Sequence, residues 1–389
     1  MENLNRKNRV FEALVIGGGV AGLSTAYALA RKGLGDILVI EGEAALGGHS
    51  SGRNAGMIRQ AIAEPVLAKL AKKGRARLAR LSKKSWNDLG FRANGSLILA
   101  SGKGLQELRA TEKVLRALDI ACDRVTKAQA ERKVPVLRGA DFKEGIFCPS
   151  DALIRIDALL KGFLKALRSY GVSVLFGRHV ESIRKTGACF EVKTDRGTFT
   201  ARRIVNAAGA AASLIAHQAG ASVLPLTPYR RHLFKSRPYA ETVKHWPFVW
   251  DVEHNLYFRP VGKALLLSPC DRMAVSGRYA ARGREKFDAR MRALLLRKIK
   301  TFRAAFRGLK IEEGKSGLRT MAPDGRFVIG EDPKLKGFFW VAGLGGHGVT
   351  TCFPVGELAG DLILGREHDR AMARALSPKR FRKGHDDAS

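Results

Sequence analysis

Residues 14–41 read LVIGGGVAGLSTAYALARKGLGDILVIE: an apolar strand, a glycine-rich turn, a helical pattern and a second apolar strand. Gly17, Gly19 and Gly22 follow the first strand at the spacing G-x-G-x-x-G. In dinucleotide-binding units these glycines permit a tight turn, close approach of a pyrophosphate and close packing of helix on strand. The pyrophosphate then lies at the amino end of the helix, where free N–H groups and the helix dipole favour negative charge.

Glu41 ends the second strand of this fingerprint. A carboxylate at this position accepts hydrogen bonds from ribose hydroxyls and disfavours a 2′-phosphate, so FAD or NAD is favoured over NADP. The alternatives are a glycine-rich turn in another α/β domain and a membrane span over 13–30. Three consecutive glycines, with Ser24 and Thr25 behind them, make the span a poor interpretation.

The composition sets broad limits on the class of protein. At 389 residues the chain is long enough for two domains, or for one large domain with an inserted lobe. Its five cysteines contain no C-x-x-C pair, which is typical of a reducing compartment and disfavours a disulfide framework or a zinc site. We therefore expect a cytoplasmic protein with no metal.

The charge is strongly positive, because 69 Lys and Arg oppose 36 Asp and Glu, for a formal net charge of +33. Basic residues are dense at 69–84, 282–310 and 379–383. In the first segment, apolar residues recur at helical spacing after Pro65, which leaves the opposite face basic. Such a face is solvated, docks on the cytoplasmic side of an anionic membrane to reach quinone, or holds nucleic acid such as tRNA. The membrane interpretation assigns the contact to Lys72, Lys73, Arg75 and Arg77.

Periodicity predicts several further elements. Helices are expected over 65–90, 104–118, 157–170, 285–307 and 350–364, and a turn is expected over 145–152. Short strands are expected at 96–100, at 172–176, 180–185, 190–194, 198–201 and 203–206, at 229–234, 248–252, 256–259 and 264–267, and at 317–320, 327–329 and 338–342.

Four segments together resemble the FAD-dependent D-amino-acid oxidase superfamily, which includes glycine and sarcosine oxidases and D-amino-acid dehydrogenases. They are the fingerprint, GGHSSGRNAGMIR at 47–59, NLYFRP at 255–260 with LLLSPCD at 265–271, and GLRTMAPDGRFVIG at 317–330 followed by GFFWVAGLGGHGVTT at 337–351. The later segments are most similar to D-arginine dehydrogenase and its relatives.

The resemblance implies an α/β fold in which a Rossmann-type FAD-binding domain is interleaved with an α+β substrate-binding lobe built on an antiparallel sheet. The FAD-binding domain is predicted to comprise residues 10–64, 145–222 and 317–370. The substrate-binding and helical lobe takes 65–144 and 223–316, and a basic tail takes 371–389.

The resemblance also implies a long, non-covalent FAD site. Val180 matches a position whose backbone meets the adenine, and Ala208 and Gly209 match a turn beside the diphosphate. Gly345 to Thr350 match a helix-opening loop beside the flavin, whose N–H groups would raise its electron affinity. The implied cofactor residues are Gly17, Gly19, Val20, Ala21, Gly22, Glu41, Gly48, Arg53, Asn54, Ala55, Val180, Ala208, Gly209, Gly343, Gly345, Gly346, His347, Gly348, Val349 and Thr350.

For the substrate, the resemblance implies a small carboxylate compound oxidised at the carbon bearing the amine, by hydride transfer to flavin N5. The imine product is hydrolysed to a 2-oxo acid. Arg319 matches a carboxylate-binding arginine, Tyr257 a tyrosine over the active site and His49 an active-site histidine. Further substrate contacts are expected from Arg230 or Arg231 and from His347.

Three departures limit this expectation. Gly317 replaces the cysteine that carries covalent FAD in sarcosine oxidases, and Thr350 replaces a lysine of those enzymes. The stretch RNAG at 53–56 is closer to relatives that oxidise 2-hydroxy acids. An FAD-dependent 2-hydroxy-acid dehydrogenase is therefore the first alternative, and a flavoprotein that binds or modifies tRNA is the second.

Overall fold

The computed structural model describes residues 9–84, 86–239, 243–276, 288–300, 302, 306 and 308–381. Its strands, in chain order, are β1 (Val10–Phe11), β2 (Ala13–Ile16), β3 (Ile37–Ile40), β4 (Met57–Ile58), β5 (Ser96–Ala100), β6 (Asp123–Thr126), β7 (Glu144–Cys148), β8 (Ala152–Leu153), β9 (Ser173–Leu175), β10 (Val180–Thr186), β11 (Cys189–Thr194), β12 (Gly197–Ala201), β13 (Ile204–Asn206), β14 (Thr227–Ser236), β15 (Phe248–Asp251), β16 (Leu256–Val261), β17 (Ala264–Ser268), β18 (Met273–Ala274), β19 (Ile311–Met321), β20 (Val328–Glu331) and β21 (Phe338–Ala342). Its α-helices are α1 (Val20–Arg31), α2 (Pro65–Ser82), α3 (Gly104–Ala117), α4 (Lys127–Lys133), α5 (Ile156–Ser169), α6 (Ala212–Ala219), α7 (Ala289–Ile299), α8 (Gly348–Leu364) and α9 (Arg370–Leu376).

The fingerprint strands lie in a six-stranded sheet with the order β20-β21-β13-β2-β3-β9, parallel except for β20. Alternate residues of β2 and β3 enter two different cores. Ala13 and Val15 pack with α1, α2, α5 and α8, whereas Leu14 and Ile16 pack with α6 and β10–β12. Burial on both faces explains why these strands are continuous apolar runs.

The carboxyl ends of the parallel strands meet at one edge of this sheet. Gly17 follows β2, Glu41 follows β3, Ala207 follows β13 and Gly343 follows β21. In open α/β sheets the ligand crevice lies outside these ends. Four motifs that are far apart in sequence therefore border one crevice.

A second sheet of nine strands forms the other lobe, with the order β18-β14-β17-β16-β15-β5-β7-β6 and β19 paired with β14. Its pairs are antiparallel except for β15 with β5. The predicted architecture of a Rossmann-type domain with an antiparallel-sheet lobe is confirmed. Strands β11 and β12 pair as a hairpin, with Thr194 opposite Gly197.

Helix α8 packs on α1 and α2 through close backbone contacts. A Cβ atom at Gly356 would overlap the carbonyl oxygen of Ser24 in α1, and one at Gly74 of α2 would overlap that of Thr350. Only glycine permits helices to approach this closely. These contacts fix the amino end of α8 beside the crevice.

Some predicted bounds of secondary-structure elements are wrong, whereas the predicted domain division stays a prediction. Residues 144–148 form β7 rather than the start of a turn, because β5 and β6 pair with this segment on both sides. Helix α2 ends at Ser82 rather than near residue 90, and a short 3-10 turn follows at Asn87–Leu89. The predicted domain boundaries at 145 and 317 fall inside β7 and β19, both strands of the nine-stranded sheet.

Part of the basic face of α2 is engaged within the protein. Lys72 Nζ donates to the carbonyl of Leu118 at 2.5 Å, and Arg75 Nε donates to that of Ser150 at 2.7 Å. Within the described residues, no helix is both long enough and apolar enough to cross a bilayer. The other basic segments, 282–310 and 379–383, lie partly outside the described residues, as does the predicted helix at 285–307.

Candidate active site

A long cleft of about 1420 Å³ runs from the fingerprint to the amino end of α8. Its walls include Gly17 and Glu41 at one end, Val180 and Ala208 along one side, and Gly346 at the other end. The cleft extends past the carboxyl ends of β2, β3, β13 and β21, and its wall is largely backbone and small side chains. Both properties suit an elongated dinucleotide.

The glycines of the fingerprint leave no room for side chains. Gly17 has a φ of +113°, its N–H donates to the carbonyl of Ile40 at 2.8 Å, and a Cβ there would overlap the carbonyl oxygen of Ala207. A Cβ at Gly22 would overlap the carbonyl oxygen of Gly17. The turn and the helix–strand approach therefore both require glycine.

Glu41 directly follows β3 at the cleft, where its carboxylate accepts hydrogen bonds from two loops. Oε2 accepts the N–H of Gly18 at 2.6 Å, and Oε1 accepts the N–H of Glu43 at 2.9 Å. The side chain also lines the cleft. This is the position from which a carboxylate reaches ribose hydroxyls.

The opposite end of the cleft is formed by the loop that precedes α8. Gly343, Gly345 and Gly346 have φ angles of +70°, +53° and +96°. This backbone brings the first turn of α8 to the cleft wall, where Gly348 and Val349 line it. The amino end of the helix thus presents N–H groups and a positive dipole end to whatever fills this part of the cleft.

A smaller pocket of about 650 Å³ adjoins this end of the cleft. Its floor is one face of the nine-stranded sheet, because Arg231 pairs with Gly317 and Tyr229 pairs with Arg319 in the β14–β19 ladder. Directly paired residues point to the same face of a sheet. Gly317 has no side chain, and a Cβ atom there would lie 3.1 Å from Arg53 Cβ, so Arg53 packs closely over this position.

The roof of the smaller pocket is the segment 53–59. Arg53 Nη1 donates to the carbonyl of Ser316 at 2.9 Å, and Asn54 Oδ1 accepts the N–H of Gly56 at 2.8 Å. The N–H of Arg59 donates to Thr350 Oγ1 at 3.2 Å, and Arg259 Nε donates to the carbonyl of Ala55. Roof, floor and α8 are therefore tied together by hydrogen bonds.

Arg319 stands at the junction of the two cavities, since it lines both. A Cβ at Gly346 would lie 2.9 Å from Arg319 Cζ and Nε, so the guanidinium packs on bare backbone. Burial lowers the pKa of Arg319, and the positive charge of Arg231 lowers it further. Burial of the Arg319 charge costs free energy, and an anionic group of a bound ligand would offset that cost.

Tyr257 is fully buried and lines the smaller pocket beside Trp250, with ring centroids 4.8 Å apart. Among the described residues, no group makes a hydrogen bond with the Tyr257 hydroxyl. The neighbouring Ser268 hydroxyl donates instead to the carbonyl of His232 at 2.7 Å. Burial raises the pKa of Tyr257, so the phenol stays protonated and is available as a donor to a ligand.

His347 and Arg59 complete the pocket. Arg59 lies over the ring of Trp250, with Cζ 4.2 Å from its centroid. Burial holds the pKa of His347 well below its ordinary value, and the charges of Arg59 and Arg319 act in the same direction. His347 is therefore a neutral base at physiological pH.

The structure brings most of the predicted cofactor residues to the long cleft. The members that line it are Gly17, Gly19, Val20, Ala21, Glu41, Asn54, Val180, Ala208, Gly209, Gly343, Gly345, Gly346, Gly348 and Val349. Arg53, Ala55, His347 and Thr350 instead line the smaller pocket. Gly22 and Gly48 are absent from both walls; a Cβ at Gly48 would lie 2.7 Å from Glu43 Cγ.

Two predicted substrate contacts lie elsewhere. His49 borders the long cleft, with Nε2 2.9 Å from Glu43 Oε1, and is not part of the pocket wall formed by Arg319 and Tyr257. Its predicted catalytic role stays a prediction. Of the arginine pair, Arg231 lines the pocket and Arg230 does not, because adjacent strand residues point to opposite faces.

Sequence reasoning missed Arg59, Trp250 and Ser51. Arg59 closes the quoted segment 47–59, yet no spacing rule marks it. Trp250 lies in a predicted strand without a motif. Ser51 accepts the N–H of Val20, at the start of α1, at 3.0 Å. A serine that bonds the amino end of the fingerprint helix from another segment is visible only after folding.

Comparison with known proteins agrees with this geometry. The family described as FAD dependent oxidoreductase (DAO) matches residues 12–362. The chain belongs to this family. It is an enzyme, and its cofactor is FAD, for which the long cleft supplies the glycine turn, the carboxylate and the helix end.

The relatives are distant but extend along the chain. 4-Methylaminobutanoate oxidase (formaldehyde-forming) of Paenarthrobacter nicotinovorans is 26% identical over 90% of this chain and 43% of its own length. Mitochondrial sarcosine dehydrogenase of Mus musculus is 25% identical over 91% and 40%. The chain thus spans less than half of these two relatives. N-methyl-L-tryptophan oxidase of Yersinia pestis is 25% identical over 90% of this chain and 94% of its own length.

Solved structures share the fold of the FAD-dependent oxidoreductases. L-proline dehydrogenase from P. horikoshii superposes with a TM-score of 0.85 at 21% identity, covering 97% of this chain and 99% of that one. Glycine oxidase from Geobacillus kaustophilus gives 0.82 at 22% identity, with 96% and 99% covered.

Proposed function

We propose that this FAD-dependent oxidoreductase oxidises an amino acid or N-methyl amino acid at the carbon that bears the nitrogen. The observation that carries the proposal is Arg319, an arginine without a carboxylate partner among the described residues, at the junction of the cofactor cleft and the smaller pocket. A guanidinium binds a carboxylate through two parallel hydrogen bonds. The relatives named for N-methyl amino acids and sarcosine support the same substrate class.

The pocket residues have distinct roles in this proposal. Arg319 binds the α-carboxylate, and the protonated Tyr257 hydroxyl donates a hydrogen bond to it. The cationic wall disfavours a substrate ammonium and so favours the neutral amine, whose lone pair assists loss of the hydride. His347, held neutral beside Arg59 and Arg319, accepts a hydrogen bond from the substrate nitrogen.

Bound FAD supplies the chemistry that the side chains lack, because it accepts the hydride from the substrate carbon. Water then hydrolyses the imine product to a 2-oxo acid and releases ammonia or methylamine. The resemblance of residues 317–351 to D-arginine dehydrogenase extends the proposal to D-enantiomers, whereas several relatives are named for L-compounds.

One observation favours a second candidate, a 2-hydroxy-acid dehydrogenase. No Asp or Glu lines the described wall of the smaller pocket, so no carboxylate pairs with a substrate ammonium. A hydroxyl substrate needs no such partner. It needs a hydrogen-bond acceptor for its hydroxyl beside a carboxylate-binding arginine, and neutral His347 and Arg319 supply this combination.

Anaerobic flavin bleaching tests both candidates. The purified holoenzyme is mixed with D- and L-amino acids, N-methyl amino acids and 2-hydroxy acids, and reduction is followed by the loss of flavin absorbance. We expect reduction by amino or N-methyl amino acids, with D-enantiomers faster than L. Reduction by hydroxy acids alone would support the second candidate, and no reduction by any of them would contradict both.

Arg319→Met tests the role of the arginine. Loss of two charge-assisted hydrogen bonds should lower kcat/KM by about 100- to 1000-fold with flavin content unchanged. Arg109→Gln is the matched control. It removes the same charge from α3 at an exposed position, where the Arg109 side chain is 68% exposed. An Arg319→Met enzyme with normal kcat/KM would refute carboxylate binding by this residue.

A further inference from the structure

The smaller pocket holds more positive charge than one carboxylate requires. Arg59, Arg231 and Arg319 all line its wall, together with Arg53, and no acidic residue of the described chain does so. One guanidinium suffices to bind one carboxylate through two hydrogen bonds. Arg59 and Arg231 therefore remain after Arg319 has taken the α-carboxylate of the proposed substrate.

The protein does not neutralise these side chains itself. Within the described residues, no carboxylate oxygen lies within 4.0 Å of the guanidinium nitrogens of Arg59, Arg231 or Arg319. Nε and Nη1 of Arg231 are buried, and no group in the part of the chain that the structure describes accepts a hydrogen bond from them. Unpaired buried charge is costly, and its retention in a cavity wall points to a ligand that completes it.

The nearby acids are already engaged by other partners. Asp271 accepts the backbone N–H of His232 at 2.9 Å and lies 2.8 Å from its Nδ1. Asp151 accepts the N–H of Gln60 at 2.9 Å and the hydroxyl of Ser96 at 2.7 Å. Neither carboxylate is therefore free to turn toward the pocket.

The cofactor does not account for the surplus either. The fingerprint and the amino end of α1, where a dinucleotide pyrophosphate lies, border the long cleft. Arg59 and Arg231 line the smaller pocket and are absent from the cleft wall, whereas Arg319 borders both. The two surplus arginines thus face the substrate side of the site.

Arg59 and Arg231 are fixed from opposite sides of the pocket. Arg59 hangs from the roof, its backbone N–H bonded to Thr350 and its guanidinium stacked on Trp250. Arg231 rises from the floor, across from Gly317 in the β14–β19 ladder. Stacking and strand pairing pre-organise both guanidinium groups before a ligand arrives.

We propose that the substrate carries a second anionic group, which Arg59 and Arg231 bind while Arg319 binds the α-carboxylate. The pocket then selects compounds such as amino dicarboxylates or their N-methyl derivatives. It rejects amino acids with cationic side chains, including arginine, by repulsion from like charges. This inference rests on the proposed function for the position of the α-carboxylate.

Paired substrates of matched shape test the inference. Glutamate, glutamine and lysine are compared in the enantiomer that the enzyme accepts, with O-phosphoserine against serine to distinguish a second carboxylate from a phosphate. We expect kcat/KM for glutamate to exceed that for glutamine by about 10- to 100-fold, the value of one or two charge-assisted hydrogen bonds. Preference for O-phosphoserine over glutamate would support the second anion and assign it as phosphate.

Variants connect the preference to the two arginines. Arg59→Gln and Arg231→Gln should each lower the ratio of kcat/KM for glutamate to kcat/KM for glutamine by about 10-fold or more. Arg59→Lys keeps the charge and should recover part of the loss. Arg109→Gln is the control, and each variant is first matched to wild type in flavin content and melting temperature.

Binding of a dicarboxylate without an oxidisable centre separates this inference from the proposed function. Glutarate and butyrate are titrated into the holoenzyme, and the flavin spectrum reports binding. Tighter binding of glutarate, lost in Arg59→Gln, supports the second anion even if no amine or hydroxy acid reduces the flavin, a result that would contradict only the proposed function. Equal binding of glutarate and butyrate, or equal kcat/KM for glutamate and glutamine, overturns the inference.

Discussion

The long cleft and the smaller pocket meet at Arg319, yet they are built in opposite ways. The cleft is shaped by missing side chains: a Cβ at Gly17 in its wall, or at Gly22 in the helix behind that wall, would overlap a backbone oxygen. The pocket is shaped by large side chains, with Trp250 and Tyr257 packed beside a group of arginines. In the proposed function, backbone therefore holds the cofactor in the cleft, and side chains hold the substrate in the pocket.

This difference separates the two kinds of change that mutations can cause. A substitution in the cleft meets rigid backbone and acts on the fold and on cofactor retention. A substitution in the pocket removes a group that faces a cavity and acts on substrate binding, with little effect on folding. The following three predictions test this separation.

The largest effect is expected for Gly22→Ala. The added methyl group would overlap the Gly17 carbonyl oxygen at the α1–β2 contact, so α1 must shift. We expect a loss of about 2–4 kcal/mol in the free energy of unfolding, together with loss of bound flavin. Urea unfolding and the flavin-to-protein ratio measure both quantities.

Gly35→Ala is the control for this change, because a Cβ at Gly35 meets no atom within 4 Å. It should change the free energy of unfolding by no more than about 0.5 kcal/mol. If Gly22→Ala retained wild-type stability and flavin, the cleft would not depend on missing side chains as described.

An intermediate effect is expected for Tyr257→Phe. The hydroxyl has no hydrogen-bond partner within the described chain, so its removal should leave the melting temperature unchanged or slightly higher. If the hydroxyl bonds the substrate carboxylate, KM should rise by about 5- to 10-fold, equivalent to about 1 kcal/mol. A fall in stability with no change in KM would assign Tyr257 to the core instead.

The smallest effect is expected in the pH dependence of His347. Its pKa is lowered in the folded state by burial and then by Arg59 and Arg319, so below about pH 6.5 the unfolded chain binds the proton more readily. Stability contributed by the neutral imidazole is complete above this pH and is lost as the pH falls.

Wild type should therefore lose up to about 1 kcal/mol more than His347→Gln between pH 7.5 and pH 5.5. Unfolding titrations at the two pH values measure this difference. His217→Gln, at an exposed position of α6, should follow wild type. A His347→Gln curve parallel to wild type would show that the histidine titrates normally.

Much of the long cleft could be predicted from local sequence. The fingerprint and the loop at 343–349 are recognisable because glycine at fixed spacing is the direct consequence of a backbone that must turn or approach a ligand. Arg319 was reached by resemblance, through the segment GLRT. The turn predicted at 145–152 was wrong at its start because a strand is decided by partners, here β5 and β6, that lie elsewhere in the sequence.

The residues that line the smaller pocket could not all be predicted from local sequence. Arg59 and Trp250 stack on each other although they are 191 positions apart, and neither belongs to a motif with a spacing rule. His49 lies within a recognised segment, but the path of the chain pairs it with Glu43 in the cleft rather than with the substrate groups. Recognising a segment by its resemblance to a family therefore did not determine which cavity each of its side chains faces.

The sequence by itself determined that this chain binds a dinucleotide at the end of an apolar strand, since the glycine spacing and Glu41 are local consequences of that backbone. Tertiary structure alone decided the charge of the smaller pocket. Arg59, Arg231 and Arg319 come from a roof segment and two paired strands, and only folding gathers them around one cavity without an acidic partner from the described wall. Charges act through space and not along the chain, so their sum at a site is a property of the fold.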